Sequence, residues 1–416
     1  MKILFFSVVL LLSACSHDEQ NRSMLFSFLE EIESPASPHS GQPYLFSAGD
    51  GKAYLSWIGP GTEKKHAFRF AKFEGDTWNQ PITITEGDEF FVNWADVPSI
   101  FRSEDRTLAA HWLESSGDWV FAYDIKISLS SDNGENWSES ISPHRDGTKT
   151  EHGFASFFNH PSGGIGFVWL DGREAASAGA AEGGHGHGGD WNMHLRSTII
   201  QSDNQLTEEV LLDDRVCECC PTAVTETNGS ILVAYRNRSD EEIRDIYLVR
   251  YSGGVWSEPY PVHNDGWNIP GCPVNGPALA SDGDRVAVAW YTAADDDPRV
   301  NIAFSRDGGR TFASPYRIDD GVPLGRVAVE LLDDRSALVL WMELLEENAG
   351  VMVRRVYPDG SISPAEKIAD VSDSRSSGYP RMVRIDDAIL FSWVEIPVTS
   401  GEGSRVRTAI GKLREY

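Results

Sequence analysis

The sequence predicts an all-β protein, a seven-bladed β-propeller of four-stranded antiparallel blades, with six blades as the alternative count. Three observations carry this. An apolar run closing on an aromatic residue occurs seven times, ending at Trp57, Trp112, Trp169, Tyr235, Trp290, Trp341 and Trp393. Successive aromatics lie 55, 57, 66, 55, 51 and 52 residues apart, a period that suits one multi-stranded unit per repeat. Between the runs, short apolar segments alternate with Gly- and Asp-containing turns.

The first element is not part of that fold. Lys2 precedes an apolar run over residues 3–12, too short to span a bilayer and shaped like a secretory signal. It ends in Leu12-Ser13-Ala14-Cys15, which resembles the bacterial lipobox. The resemblance implies removal of residues 1–14 and acylation of Cys15. Ser16 follows in place of Asp, which points to the outer membrane of a bacterial cell envelope, with membrane contact only through the lipid. Residues 15–41 are polar, carry Pro35 and Pro38, and read as a lipidated tether. Within them, residues 24–32 are apolar enough to add an edge strand or a short helix. The propeller is expected over 42–416.

The repeats read strand by strand. In the fifth unit, residues 277–281, 285–292, 300–305 and 315–319 are four strands, separated by a turn at Asp282-Gly283-Asp284, a polar loop, and a turn at Asp307-Gly308-Gly309. The sixth repeats this over 327–331, 337–342, 350–356 and 365–370, with a turn at Pro358-Asp359-Gly360. No unit buries its own apolar faces, so each needs its neighbours. The last unit, from about Tyr379, shows three strands. The N-terminal segment is expected to supply the fourth and close the ring.

Two turns carry a motif. Ser130, Asp132, Gly134 and Trp137 fit Ser-x-Asp-x-Gly-x-x-Trp, and Ser305, Asp307, Gly309 and Phe312 fit it with Phe for Trp. Worn forms lie at Gly75–Trp78 and Gly253–Trp256. Ser and Asp side chains bond turn amides, Gly takes a positive φ, and the aromatic ring wedges between strands. With these Asp-boxes, the chain resembles bacterial sialidase-like, Asp-box repeat propellers over nearly all of 42–416. In that family the boxes are structural and lie on the face away from the active site. Two departures matter. Sialidases have six blades, and their first arginine sits in an Arg-Ile-Pro tripeptide that this chain lacks. Their catalytic residues therefore cannot be transferred here, and ordinary exo-sialidase activity is not expected.

The hydrophobic fraction of 41% supplies a core, and the formal charge of −27 argues against nucleic acid, since nothing would neutralise phosphates. The strands lack the long lipid-facing alternation of a membrane barrel. A monomer that takes a glycan or another anionic small ligand is expected.

Topology sorts the remaining residues. Loops before the first strand and between the second and third strands share one rim, and three such segments belong to consecutive units. Cys217, Cys219 and Cys220 lead into the fourth unit, and Trp267 and Cys272 lead into the fifth. The insert after Trp169 carries Asp171, Arg173, Glu174, His185, His187, Trp191 and His194. Disulfides suit an extracytoplasmic compartment, and a Cys220–Cys272 bridge between adjacent blades is the simplest pairing. The same cysteines with His185, His187 and His194 are also soft ligands for copper or zinc. Arg173, Arg236, Arg238, Arg326 and Arg381 are candidate anion-binding groups, with Trp191 and Trp267 as aromatic platforms. Asp171, Glu174, Asp240 and Glu343 are candidate acids or bases. Arg–Asp pairing between blades is the competing explanation for each. The classes left open are a glycan-binding or glycan-processing propeller, a metal or redox propeller, and a protein-docking scaffold.

Overall fold

The computed structural model describes residues 25–177, 191–397 and 403–414. Among these, seven antiparallel sheets stand as the blades of a propeller. Blade 1 is Gly41–Ser47, Ala53–Pro60, His66–Glu74 and an outer strand split into Thr77–Trp78 and Ile82–Gly87. Blade 2 is Ser99–Arg102, Leu108–Ser115 and Tyr123–Ser130, with its outer strand reduced to a bridge at Ile141. Blade 3 is His152–Asn159, Ile165–Asp171, Met193–Ile200 and Val210–Val216. Blade 4 is Ala223–Thr227, Ser230–Arg236, Ile246–Ser252 and the pair Val255–Trp256 and Tyr260–Pro261. Blade 5 is Ala278–Asp282, Arg285–Thr292, Arg299–Ser305 and Tyr316–Arg317. Blade 6 is Val322–Leu331, Ala337–Leu344, Ala349–Val356 and Glu366–Val371. Blade 7 takes Arg381–Ile385, Ala388–Glu395 and Arg405–Leu413 from the C-terminal end, and Phe26–Ile32 from the N-terminal end. The ring therefore closes by the strand exchange expected from the sequence. The closing strand lies in the stretch read as tether, so the described propeller includes Phe26–Ile32 as well as residues from 42.

The aromatic-ended runs are the second strands. Their neighbours along the strand face opposite sides of a sheet. In blade 1, Leu55 and Trp57 join a cluster with blade 7, while Tyr54 and Ile58 join one with blade 2. Each blade is thus buried on both faces, which explains the unbroken apolar runs. Seven such clusters exist, one for each pair of neighbouring blades. The seven first strands touch in sequence around the axis and the last touches the first.

The aromatic tips carry a further rule. The indole Nε1 of Trp112, Trp169 and Trp341 donates to the acid two residues on: Glu114 at 2.8 Å, Asp171 at 2.8 Å and Glu343 at 2.9 Å. A buried indole N–H needs an acceptor, and this acid supplies it. Both Asp-boxes form as expected. Ser305 Oγ donates to Asp307 Oδ1 at 2.7 Å and accepts from the Gly309 amide at 3.0 Å. Ser130 Oγ does the same with Asp132 and Gly134, at 2.8 and 2.9 Å. Gly309 has φ +78°, and a Cβ there would lie 2.5 Å from Leu232 Cδ1, so no other residue fits.

Candidate functional site

In each blade the first strand leaves one end of the ring and the second strand returns to it. This upper face carries the loops singled out in the sequence, and the Asp-box turns lie on the lower face. The lower end of the channel is a wide opening of 770 Å³. Its polar groups are largely paired with one another, as Arg102 is with Asp50 at 2.8 Å and Asn159 with Glu226 at 2.9 Å.

The upper mouth is a narrower recess of 230 Å³, walled by Tyr44, Asp96, Phe154, Thr222, Tyr379 and Arg381 among others. Arg381 opens the first strand of blade 7. Its guanidinium carbon lies 5.2 Å from the ring centre of Tyr44 and 5.5 Å from that of Tyr379. Among the described residues it has no hydrogen bond or ion pair, and its Nε is buried without a partner. Burial pushes its pKa down. A half-buried guanidinium with no counter-charge is costly, and an anion that fills the recess relieves that cost.

An acid pair adjoins the recess. The Tyr123 hydroxyl lies 2.9 Å from Asp96 Oδ2 and 3.0 Å from Glu151 Oε1. One hydroxyl proton cannot serve both, so one carboxyl must hold its own proton and donate to the phenol oxygen. Burial raises Asp96 to about 7, against the lowering effect of hydrogen bonds from the Phe154 amide and Tyr123. Burial also raises Glu151, whose Oε2 has no partner. A Cβ at residue 153 would sit 1.8 Å from Asp96 Oδ2, so Gly153 is what admits the carboxylate.

These shifts set a pH dependence. Asp96 titrates near 3.8 when unfolded and near 7 when folded, so the folded state holds its proton longer. Its contribution to stability is fully present below about pH 4 and is lost as the pH rises through 7, by at most roughly 4 kcal/mol. Asp96→Asn keeps both hydrogen-bond positions and removes the ionisation. Chemical denaturation of both proteins should give similar stabilities at pH 4.5 and a more stable variant at pH 8. Parallel pH profiles would refute the assignment.

The other sequence-selected residues fall into three groups. Four arginines are satisfied internally. Arg236 donates to the carbonyls of Asn275, Arg244 and Tyr291 at 2.9, 2.5 and 2.8 Å. Arg326 donates to Gly378 O at 2.9 Å and stacks 4.8 Å over Trp94. Arg238 pairs with Glu218 and Glu242 at 2.6 and 2.7 Å. Arg173 grips Asp171 bidentately at 2.7 and 2.6 Å and reaches Glu209 at 2.8 Å. Of the five arginines, Arg381 alone is left facing a cavity without a partner. Trp191 and Trp267 are both buried. Trp191 joins the core between blades 3 and 4, and Trp267 lies under Arg236.

The acids divide similarly. Asp171 and Glu343 serve their indoles. Glu174 accepts from His194 Nε2 at 2.9 Å. Asp240 is exposed and pairs with Arg215. Asp171 also belongs to a network with Asp146 and the stacked pair His144 and His152, whose ring centres are 3.8 Å apart. Burial opposes charge on both His152 and Asp146, but their 3.2 Å contact, together with Asp171 near His152 and hydrogen bonds from Thr148 to Asp146, outweighs it, raising His152 and lowering Asp146.

The cysteines gather on the upper face but pair differently from the simplest expectation. Cys219, not Cys220, is joined to Cys272, with Cα atoms 6.0 Å apart. Cys217 and Cys220 remain thiols, buried and 3.3 Å apart at sulfur. Burial raises Cys217. Cys220, although also opposed by burial, accepts from Cys217 and feels Arg236, and falls to about 7. His194 is turned toward Glu174. Cys15, His185 and His187 lie outside the described residues.

Sequence reasoning missed Tyr44, Asp96, Tyr123, Glu151 and Tyr379. A usable signal existed for Tyr44, Asp96, Glu151 and Tyr379. Each lies within or just before a first strand, the position that singled out the cysteines.

No protein-family model and no curated protein matches the chain. Solved structures do. The BP39L lectin from Burkholderia pseudomallei aligns with TM-score 0.60 at 12% identity, over 91% of this chain and 99% of that one. A PL25 ulvan lyase bound to -[GlcA(1-4)Rha3S]- aligns with TM-score 0.54 at 11% identity, over 91% and 95%. This chain is a seven-bladed β-propeller. The polysaccharide lyase Uly1 aligns with TM-score 0.53 at 9% identity, over 96% and 94%. At such identities the likeness fixes the fold alone.

Proposed function

We propose that this propeller binds an anionic glycan at the upper mouth of its channel, with Arg381 taking a carboxylate or sulfate group and Tyr44 and Tyr379 flanking it. The observation that carries this is the unpartnered, half-buried guanidinium of Arg381 between two aromatic rings. Arg offers a planar fork for such a group, and aromatic faces suit sugar rings. The architecture shared with a lectin and two polysaccharide lyases supports a glycan over other anions. Lipid attachment at Cys15 in a bacterial envelope remains part of this proposal, on the lipobox alone.

Calorimetry with uronate-containing and sulfated oligosaccharides tests it. Binding is expected for one charged class and not for neutral analogues. Arg381→Gln should weaken it by about 1.5–3 kcal/mol, the worth of a charge-assisted hydrogen bond. Equal binding of neutral and charged glycans, or an unaffected variant, would overturn it.

A second reading, that the glycan is also cleaved, draws on Asp96. A buried carboxyl titrating near 7 on the wall of the same recess has the pKa of a proton-transfer group. Loss of turnover in Asp96→Asn with binding retained would support it, and the absence of any product from the bound saccharide would remove it.

A further inference from the structure

We propose that Cys217 and Cys220 form a buried binding site for copper(I), behind Tyr379 of the glycan recess but independent of that reading. Their sulfurs are 3.3 Å apart, and the Cys219 sulfur lies 3.9 Å from Cys217. All three ligand atoms fall within 4.8 Å of one another, and all three residues are buried. The Cys219–Cys272 disulfide fixes the segment before blade 4 to the segment before blade 5. Two thiols are thereby held face to face in a loop that cannot spread.

The donor set selects the ion. Soft thiolates favour copper(I), which is content with two or three ligands. Zinc asks for four in a structural site, and here one of the three converging sulfurs is already bonded to Cys272. A metal–sulfur bond is about 2.3 Å long, so the two sulfurs must part by about 1 Å to seat an ion between them, a side-chain rotation. Each thiol gives its proton to solvent as the ion enters. Two thiolates and one copper(I) then carry a net charge of −1.

The surroundings match that charge. Arg244 Nη1 lies 3.2 Å from Cys217 Sγ and 2.7 Å from Glu218 Oε2. Arg238 pairs with Glu218 and Glu242, and Arg244 with both as well. Among the described residues, Arg236, whose carbonyl accepts from the Cys217 amide at 2.9 Å, donates its side-chain hydrogen bonds to carbonyls and pairs with no acid. Among these side chains three guanidiniums face two carboxylates, leaving one positive charge beside the thiols, while burial holds the nearby Glu151 toward its neutral form. A copper(I) dithiolate cancels it, whereas a zinc dithiolate, being neutral, does not. The Arg244 contact is also the outer hydrogen bond that a metal-bound thiolate ordinarily receives.

The test is an anaerobic titration of the full-length protein with copper(I) against a chromophoric copper(I) chelator, with ascorbate as the only reductant. One equivalent should be withdrawn from the chelator, and X-ray absorption should show sulfur alone around the metal. Cys217→Ser and Cys220→Ser should each weaken binding by more than about 100-fold, the upper end of what losing an outer hydrogen-bond partner costs. Should either variant fail to fold, thiol alkylation of the native sequence decides: one equivalent of copper(I) should shield two cysteines, and excess chelator should release them. No copper withdrawn, nitrogen or oxygen neighbours at the metal, or a Cys217–Cys220 disulfide mapped in the isolated protein would each overturn the site.

Discussion

Replacing Glu218 by Ala should cost about 3–5 kcal/mol of folding stability, the range for breaking a buried ion pair on one side. Glu218 is fully buried, and its two oxygens take Arg238 at 2.6 Å and Arg244 at 2.7 Å. Without it, the carboxylate left to both guanidiniums among the described residues is Glu242, which is a quarter exposed. The loss comes mainly from stranding charge in the core, because the intact pair itself gains little over an apolar substitute. Urea denaturation of wild type and Glu218→Ala measures it. Glu242→Ala provides the contrast: water reaches that carboxylate, so a smaller loss is expected. A Glu218→Ala penalty below 1 kcal/mol, or equal penalties for both variants, would show that the cluster is not the buried electrostatic unit described.

The second large effect is expected at the other closure of the ring. Phe26 is buried against blades 6 and 7, its ring 5.9 Å from that of Phe391 in an edge-on contact. Phe26→Ala should cost about 3–5 kcal/mol as a large-to-small core change. Deleting residues through Ile32 should cost more, since it also exposes the hydrogen-bonding edge of Arg405–Leu413. The truncated protein should melt at lower temperature and less cooperatively. A synthetic peptide spanning residues 24–34 should raise its melting temperature by adding the strand in trans. Unchanged melting after truncation would mean that blade 7 is complete without the N-terminal strand.

The blade count was legible because the repeated signal is a packing requirement. Every second strand is buried on both faces, so each must be apolar, and an aromatic tip marks where it reaches the upper face. The ring closure was legible for a related reason: the seventh unit lacked one strand, and an apolar segment was to spare near the start. The site was much less so. Arg381 was selected together with Arg236 and Arg326, and nothing in composition distinguishes them. Arg236 and Arg326 are consumed by backbone carbonyls that the closed ring brings close, whereas Arg381 is not. Its flanking Tyr44 and Tyr379 come from opposite ends of the sequence and meet only after closure. Asp171 and Glu343 show a different limit. Their spacing from Trp169 and Trp341 was visible, but its meaning, a hydrogen bond to the indole, required the side-chain geometry. The cysteine pairing was likewise a choice among neighbours that only distance resolves.

Of the described strands, Phe26–Ile32 is the first to be made and its partner Arg405–Leu413 the last. Synthesis at about 5–20 residues per second leaves the early strand waiting for tens of seconds, its apolar residues and open edge without their permanent neighbour. Blades 1 to 6 can stack one after another as the chain emerges. The ring is sealed only once Arg405–Leu413 is made and pairs with the early strand. Until that pairing forms, blades 1 to 6 make an almost complete stack with one open seam.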